Sequence, residues 1–194
     1  SGVTPLMMMQ LDAEKALDRV AWPYLWATMK GFRFSQTFVT AVRSLYINPR
    51  AKLTIMNNDS NKIAVSRGTR QGCSCLPLLF TLYIEPYIQK LSANAKIIPI
   101  SVGGHFTKIL AYSDDIAIIT PDPAVSFAEV ETAAIDLGKI SDYKLNTTKT
   151  EVIDNTNCNK KTGWEVPLTT YLGIKLTNKI EQIVAMNFDP LLKK

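Results

Sequence analysis

The chain has 194 residues, of which 46% are hydrophobic and 20% are charged. This length and composition predict one globular domain with a real core, and they exclude a disordered chain or one with a long membrane-spanning apolar run. The formal net charge of +5 favours a polyanionic partner, although scattered lysines can equally form a solvated surface.

The three cysteines, Cys73, Cys75 and Cys158, do not form a disulfide or zinc pattern. Their number is odd, and the single histidine, His105, lies far from all of them in the sequence. The first five residues also lack the charged-then-apolar order of a signal peptide. We therefore expect reduced thiols and an intracellular protein, without a membrane as partner.

The first predicted element is a buried strand in the apolar run Leu6–Leu11, which gives way to polar residues at Asp12. Two helices should follow. Pro23 suits the first turn of one helix, and Gly31 its end. Ser35 can cap the second, which should extend to about Tyr46 and bury its aromatic side chains in the core.

The middle of the chain combines strands, a loop and a long helix. The runs 51–56 and 62–65 should form two strands, joined by a polar turn. The glycine-containing loop 67–72 would let the backbone approach a nucleotide closely. It opens an apolar helix over 76–91, in which Pro86 predicts a kink or a break.

The remaining elements alternate between strands and one helix. Gly103-Gly104 predicts a hairpin turn between strands 97–102 and 106–111. A helix over 123–141 should cover the sheet with an apolar face. Short strands are expected around Val152 and over 171–176.

Two adjacent acids lie at a predicted turn, in the sequence Tyr112-Ser113-Asp114-Asp115. Strand-like runs flank them on both sides. Aspartate is a common turn residue, so this position alone has an ordinary structural explanation. The alternative is that the turn holds two carboxylates together at a sheet surface, where a bound cation relieves their repulsion.

Asp12 is the candidate third acid, because it ends a buried strand and would lie at a sheet edge. If this strand neighbours the hairpin, Asp12 meets Asp114 and Asp115. Two metal ions roughly 3.5–4 Å apart on such a trio would activate a hydroxyl group and stabilise a leaving pyrophosphate. This chemistry is that of a polymerase.

Several segments together resemble the successive palm motifs of a non-LTR, LINE-type retrotransposon reverse transcriptase. Their order and separation agree as well as their residues, and the similarity extends from about Met9 to the C-terminus. The segments are Leu11–Asp18, Arg67–Cys73, Tyr112–Asp115, Ser141–Asn146 with Lys149–Glu151, and Tyr171–Ile174.

The resemblance implies an α+β, polymerase palm-like fold in which helices cover one face of an antiparallel sheet. Residues 1–194 would form a single palm domain with incomplete fingers, and most of the fingers and thumb would lie outside this chain. The implied activity is RNA-directed DNA synthesis with an RNA template, a DNA primer and dNTPs. It would require two Mg²⁺ or Mn²⁺ ions, and the location would be intracellular, the nucleus included.

The resemblance also implies roles for individual residues. Asp12, Asp114 and Asp115 would hold the metal ions together with the backbone carbonyl of Ala13, and Lys149 would protonate the leaving pyrophosphate. The residues expected to bind the nucleotide are Leu17, Gln71, Gly72 and Tyr112. The residues expected to bind nucleic acid are Arg67, Arg70, Tyr171 and Gly173.

Some positions depart from the family pattern. Leu17 occupies the place of an aromatic residue that blocks ribonucleotides, and Ser74-Cys75-Leu76-Pro77 replaces a Pro-Leu-Ser-Pro-like stretch. Three interpretations therefore remain open at this stage: an active polymerase palm, a nucleic-acid-binding remnant without turnover, and a structural relic.

Overall fold

The computed structural model describes residues 6–69, 75–154 and 166–189. The helices are α1 (Trp22–Gly31), α2 (Gln36–Ser44), α3 (Leu76–Ala93), α4 (Pro123–Ser141) and α5 (Ile180–Asn187). The strands are β1 (Met7–Leu11), β2 (Arg50–Ala51), β3 (Thr54–Ile55), β4 (Asn58–Asp59), β5 (Ile63–Ala64), β6 (Ile100–Val102), β7 (His105–Thr107), β8 (Ile109–Tyr112), β9 (Asp115–Thr120), β10 (Glu151–Asp154), β11 (Leu168–Tyr171) and β12 (Ile174–Thr177).

Four strands form the main sheet, in the order β10-β1-β9-β8, and every neighbouring pair is antiparallel. Met9 in the middle of β1 lies opposite Ile118 on one side and Val152 on the other. Met7, Met9 and Leu11 are buried, whereas the residues between them are only partly buried. This alternation shows that β1 turns one apolar face to the core and one more polar face outward.

Helices α1, α3 and α4 pack against one another and share a core with the sheet. Phe80, Tyr83 and Tyr87 of α3 are about 1% exposed, so this helix is buried deeply. The hydroxyl group of Tyr83 donates to the carbonyl of Ser141 at 2.7 Å, and burial raises the pKa of this phenol to about 12. The predicted α+β class, with an antiparallel sheet covered by helices, is confirmed.

Most of the predicted elements are present. The hairpin around Gly103-Gly104, the hairpin that carries the paired acids and the helix over 123–141 are confirmed. The predicted strand over 171–176 is instead two strands, because a turn at Leu172-Gly173 separates β11 from β12. The run 51–56 is likewise divided, since β2 pairs with β5 whereas β3 pairs with β4.

Two predictions about local structure need correction. Of the kink or break predicted at Pro86, the break is absent, because helix α3 continues through this residue, with Tyr83 and Tyr87 buried on either side. The second helix ends at Ser44, and its Phe38 ring is 48% exposed rather than buried. It stacks on Phe34 at a ring-centroid distance of 5.4 Å. Within the described ranges, no helix has the length and apolar character needed to cross a membrane.

Candidate active site

Asp12 follows the last residue of β1, at the end of a strand fixed on both sides by antiparallel partners. Its backbone carbonyl accepts a hydrogen bond from the N–H of Asn146 at 2.8 Å, and the N–H of Glu14 donates to the carbonyl of Lys144 at 2.9 Å. These bonds flank an isolated bridge between Ala13 and Leu145. Neither of these hydrogen bonds uses the backbone carbonyl of Ala13, so this carbonyl remains a candidate oxygen ligand.

Asp114 and Asp115 lie at the turn between β8 and β9, where Tyr112 pairs with Asp115. The turn residue in the left-handed region is Ser113, with φ of 56°, and not an aspartate. Such a conformation costs a non-glycine residue roughly 1–2 kcal/mol. The local strain is therefore carried by the residue next to the acids.

The register of the sheet brings the three acids together, because Leu11 at the end of β1 lies opposite Ile116 of β9. Asp12 and Asp115 thus leave adjacent strands at the same edge. A cavity of about 330 Å³ opens there. Its lining residues are Gln10, Leu11, Asp12, Ala13, Asp114, Asp115, Thr148, Lys149 and Glu151.

The acids interact electrostatically. Partial burial raises the pKa of the Asp115 carboxyl above its usual value, and the negative charges of Asp114 and Asp12 raise it further. A carboxylate in such surroundings repels its neighbours when it is ionised, so a bound cation would stabilise the ionised form. A cation beside Asp115 would therefore offset the cost of its ionisation.

The donor chemistry of the cavity fits hard divalent ions, which prefer carboxylate and carbonyl oxygens. The described residues contain no preformed group of three or more His, Cys, Asp or Glu side chains arranged to hold a metal ion. Mg²⁺ sites commonly use one or two carboxylates and take the remaining ligands from substrate phosphates and water. The three aspartates and the Ala13 carbonyl fit such a substrate-completed site better than an all-protein cage.

Lys149 is exposed and lines the same cavity, on the loop that precedes β10. Its backbone N–H donates to the carbonyl of Asn146 at 3.2 Å, in the turn that also bonds to Asp12. The ammonium group is thus carried by a segment attached directly to the acidic strand end. At this position the Lys149 ammonium group could form an ion pair with a phosphate group in the cavity.

Two further polar residues line the cavity, Gln10 and Glu151, which lie opposite each other on β1 and β10 and have no role among the predictions from sequence. Both contact the hydroxyl of Thr169 on β11, which is 5% exposed. One available signal was the polar residue Gln10 inside an otherwise apolar strand. Glu151 belongs to the segment Lys149–Glu151, in which the family resemblance implies a function for Lys149 alone.

Leu17 is partly buried in a short 3-10 helix, Ala16–Arg19, and packs against the core. Its carbonyl accepts hydrogen bonds from both the N–H and the hydroxyl of Thr69, at 2.9 and 3.0 Å. The neighbouring Gly68 donates its N–H to the carbonyl of Val20 at 2.9 Å. The segment that leads into the predicted nucleotide loop is therefore attached to the segment that follows Asp12.

The predicted nucleic-acid contacts occupy different environments. Arg67 is about half exposed and pairs with Asp142 at 3.4 Å, an ion pair that solvent weakens. Tyr112 is 69% exposed, directly beside the acids. Arg70, Gln71 and Gly72 lie outside the described residues.

Tyr171 is only 8% exposed, so its ring packs inside the protein rather than offering a surface to a primer. Its hydroxyl lies 3.4 Å from the backbone carbonyl of Asp115, and burial, followed by the charge of Asp115, raises the pKa of this phenol. Gly173 is exposed in the turn after Tyr171, with φ of 81°. Tyr171 thus supports the acidic turn, whereas Gly173 remains accessible.

A four-stranded antiparallel sheet, covered by helices and carrying acids at one edge, is the palm of a nucleic-acid polymerase. The family model for reverse transcriptase (RNA-dependent DNA polymerase) matches residues 4–176. The chain therefore belongs to the reverse transcriptase family, whose members use divalent metal ions and bind nucleic acid templates.

Two relatives come from mobile elements. The transposon TX1 uncharacterized 149 kDa protein of Xenopus laevis is 27% identical over 94% of this chain. The Pol polyprotein from the type-2 retrotransposable element R2DM of Drosophila melanogaster is 24% identical over 72% of this chain. The matched regions are 14% and 13% of those proteins, so the chain spans a small part of their length. The predicted similarity to non-LTR retrotransposon reverse transcriptases is confirmed.

Solved structures show the same fold. The apo telomerase of Candida tropicalis, truncated from its C-terminal domain, has a TM-score of 0.64 and 16% identity, over 90% of this chain and 34% of that one. The telomerase of Candida albicans, in complex with the TWJ fragment of telomeric RNA, has a TM-score of 0.62 and 13% identity, over 89% and 29%. Because these sequence identities are low, the comparison with the telomerase structures shows a shared fold only.

Proposed function

We propose that this chain is the palm of an RNA-directed DNA polymerase that adds dNTPs to the 3′ hydroxyl of a DNA primer paired to an RNA template. The observation that carries this proposal is the meeting of Asp12, Asp114 and Asp115 around one cavity that Lys149 also lines. Family membership supports the reaction class. We place the reaction inside the cell, with access to the nucleus.

The residues of the cavity have separate roles in this proposal. Two Mg²⁺ or Mn²⁺ ions, when bound by Asp12, Asp114, Asp115 and the Ala13 carbonyl, would lower the pKa of the primer hydroxyl and neutralise charge on the triphosphate. Asp114 is exposed at the turn and can reach the substrate side, whereas Asp115 is partly buried. Lys149 would donate a proton to the leaving pyrophosphate.

Other residues would position the substrates. Tyr112, which is exposed beside the acids, would lie under the primer end, and Gly173 would let the primer backbone pass closely over the β11–β12 turn. Leu17, Gln71 and Gly72 would contact the incoming nucleotide, with Arg67 and Arg70 on phosphates. We treat residues 1–194 as one palm domain in this assignment.

A second candidate function is nucleic-acid binding without turnover. It is favoured by Leu17 in the place of an aromatic residue. The positive charge and the palm fold would then serve binding alone.

Primer extension separates the two candidates. The chain is incubated with a DNA primer on an RNA template, the four dNTPs and Mg²⁺ or Mn²⁺, and extended primer is measured on a denaturing gel. We expect extension by the native chain and its loss in Asp114→Asn, with unchanged binding of the primer–template. Binding without extension by the native chain would select the second candidate, and extension by the mutant would exclude the proposed site.

A further inference from the structure

Arg19 is the last residue of the 3-10 helix that also contains Leu17, and none of the roles assigned above uses it. Its side chain is 29% exposed and contacts a segment 123 residues later in the chain. There its Nε–H group donates to the backbone carbonyl of Asp142 at 2.9 Å. Because the donor is ionised, this hydrogen bond is stronger than one between two neutral groups. Arg19 thus joins the segment that follows Asp12 to the end of helix α4.

The carbonyl that accepts this hydrogen bond lies at a strained position of the backbone. Helix α4 ends at Ser141, and the following residue, Asp142, has a φ of 62°. This left-handed conformation is unfavourable for a residue with a side chain, so contacts around it must hold it. The C-terminal carbonyls of a helix also have partial negative charge, which a guanidinium group stabilises. The bond from Arg19 therefore stabilises the turn in which the chain leaves α4.

Glu14 supplies a second link between the same two segments. Its Oε1 lies 3.7 Å from Nη1 of Arg19, and its Oε2 lies 2.7 Å from Nζ of Lys144. The hydrogen bond from Lys144, together with the charges of Lys144 and Arg19, lowers the pKa of the Glu14 carboxyl below its usual value. The ammonium group of Lys144 is well exposed, so solvent weakens its ion pair. The bond from Arg19 to the Asp142 carbonyl is therefore the stronger of the two side-chain links.

The segment that begins at Asp142 leads directly to Lys149. Tyr143, the next residue, is buried, whereas Asp142 itself is exposed. Further along, Asn146 donates its N–H to the carbonyl of Asp12 at 2.8 Å and accepts at its own carbonyl from the N–H of Lys149 at 3.2 Å. The chain from Asp142 to Lys149 is thus fixed at both ends. A change in the position of Asp142 would therefore shift the turn that carries Lys149.

We propose that Arg19 is a positioning residue, which fixes the carbonyl of Asp142 and thereby holds the turn that carries Lys149 beside the three aspartates. Arg19 binds no substrate and acts through Lys149. This proposal rests on the proposed function, because it assumes that Lys149 donates a proton to the leaving pyrophosphate. Since Leu17 belongs to the same 3-10 helix, Arg19 also connects the expected nucleotide contact to the expected proton donor.

A double-mutant cycle on primer extension tests this role, with Arg19→Met, Lys149→Met and the double variant. Methionine keeps the length of the side chain and removes its charge and its donors. We expect Arg19→Met to lower kcat about tenfold and to leave KM for the dNTP unchanged, because the proton donor is misplaced while the nucleotide still binds. In the Lys149→Met chain the second substitution should have no further effect, since no ammonium group remains to be positioned.

Two further variants separate positioning from a general effect of charge or folding. Arg19→Lys keeps a charged N–H donor and should recover most of the lost activity. Arg33→Met removes one positive charge from an exposed residue between α1 and α2, and it should extend primers as the native chain does. Circular dichroism verifies that all variants are folded. An equal loss of kcat from Arg19→Met with and without Lys149, or no recovery in Arg19→Lys, would overturn the proposal.

Hydrogen exchange of the free chain tests the same link without catalysis. Exchange of the backbone amides of residues 143–150 is measured by mass spectrometry in the absence of nucleic acid. Arg19→Met should raise it about tenfold through the loss of a charge-assisted hydrogen bond, and Arg33→Met should leave it unchanged. Unchanged exchange in Arg19→Met would overturn the proposal even if the native chain extends primers. Raised exchange would support the positioning of the Lys149 turn even if no primer is extended, and in that case only the catalytic proposal fails.

Discussion

The hydroxyl of Thr169 lies 2.9 Å from Oε1 of Gln10, and this contact connects the β11–β12 hairpin to the central strand of the main sheet. The same hydroxyl contacts Oε2 of Glu151. Both partners line the cavity that contains the three aspartates. A residue of the hairpin therefore holds two polar side chains at the wall of the candidate active site.

Replacing Thr169 by valine should destabilise the protein and reduce primer extension. Valine has the same shape without the hydroxyl, so the hydrogen bond that this hydroxyl donates to Gln10 or Glu151 would be lost, at a cost of about 0.5–1.5 kcal/mol. Urea denaturation measures this change. Thr169→Ser keeps the hydroxyl and should remain close to the native chain. A valine variant as stable and active as the native chain would show that Thr169 does not position Gln10 and Glu151.

The raised pKa of Asp115 predicts a specific dependence of stability on pH. Because the folded-state pKa lies above the usual value of 3.8, the folded chain binds this proton more tightly than the unfolded chain does. The free energy of unfolding should therefore fall as pH rises from 3.8 through the raised pKa. Asp115→Asn should lack this fall and be more stable than the native chain at neutral pH, without added metal.

Asp136→Asn is the control of opposite sign. Hydrogen bonds from Lys90 and Lys139 lower the pKa of Asp136, so its ionised form stabilises the fold above its usual pKa and this contribution disappears in acid. Denaturation curves at several pH values should thus show a small loss at neutral pH for Asp136→Asn. Identical pH profiles for both variants would contradict the proposed interaction among the three active-site acids.

Gly138 should not tolerate alanine, although it lies in helix α4. A Cβ atom at this position would be 2.6 Å from the backbone carbonyl oxygen of Tyr143, which has no room to move. We expect Gly138→Ala to lower the free energy of unfolding by about 1–3 kcal/mol. A Cβ atom added at Gly31, the last residue of α1, would meet no other part of the protein within 4 Å, so Gly31→Ala should raise it by about 0.4–1 kcal/mol. Thermal denaturation of both variants checks this contrast.

The turn between β11 and β12 stores backbone strain at Leu172. Leu172 and Gly173 both have positive φ, 48° and 81°, as in the two-residue hairpin loops that favour Asn-Gly. Leu172→Asn should therefore stabilise the protein by about 1 kcal/mol. Leu172→Ala keeps the strained conformation and should bring no such gain. Chemical denaturation measures the free energy of unfolding of both variants. An asparagine variant no more stable than the alanine variant would refute backbone strain at Leu172.

The sequence predicted the main parts of the site because they depend on local pattern. The end of an apolar strand located Asp12, and a turn between apolar runs located the paired acids. Their meeting required that two strands distant in sequence become neighbours, which the family resemblance supplied and the register of β1 with β9 confirmed. Local patterns contain no information on such pairing.

The errors and omissions have physical causes. Pro86 predicted a kink or a break, but the helix is not broken there, since burial of the surrounding tyrosines outweighs one missing hydrogen bond. Thr169 could not be recognised, because its importance lies in contacts with residues far away in the chain. Likewise, no sequence pattern indicates the hydrogen bond from Trp22 to Gly68, which joins two segments distant in the chain.

The central position of β1 has a consequence for how the protein forms. Its partners β9 and β10 are made long after it during synthesis, so β1 leaves the ribosome before either of the strands that will pair with it. Met7, Met9 and Leu11 then lack these partners until both strands have emerged, a period in which a chaperone or another unpaired strand can bind them. The catalytic edge is consequently assembled late, after the helices have had time to form.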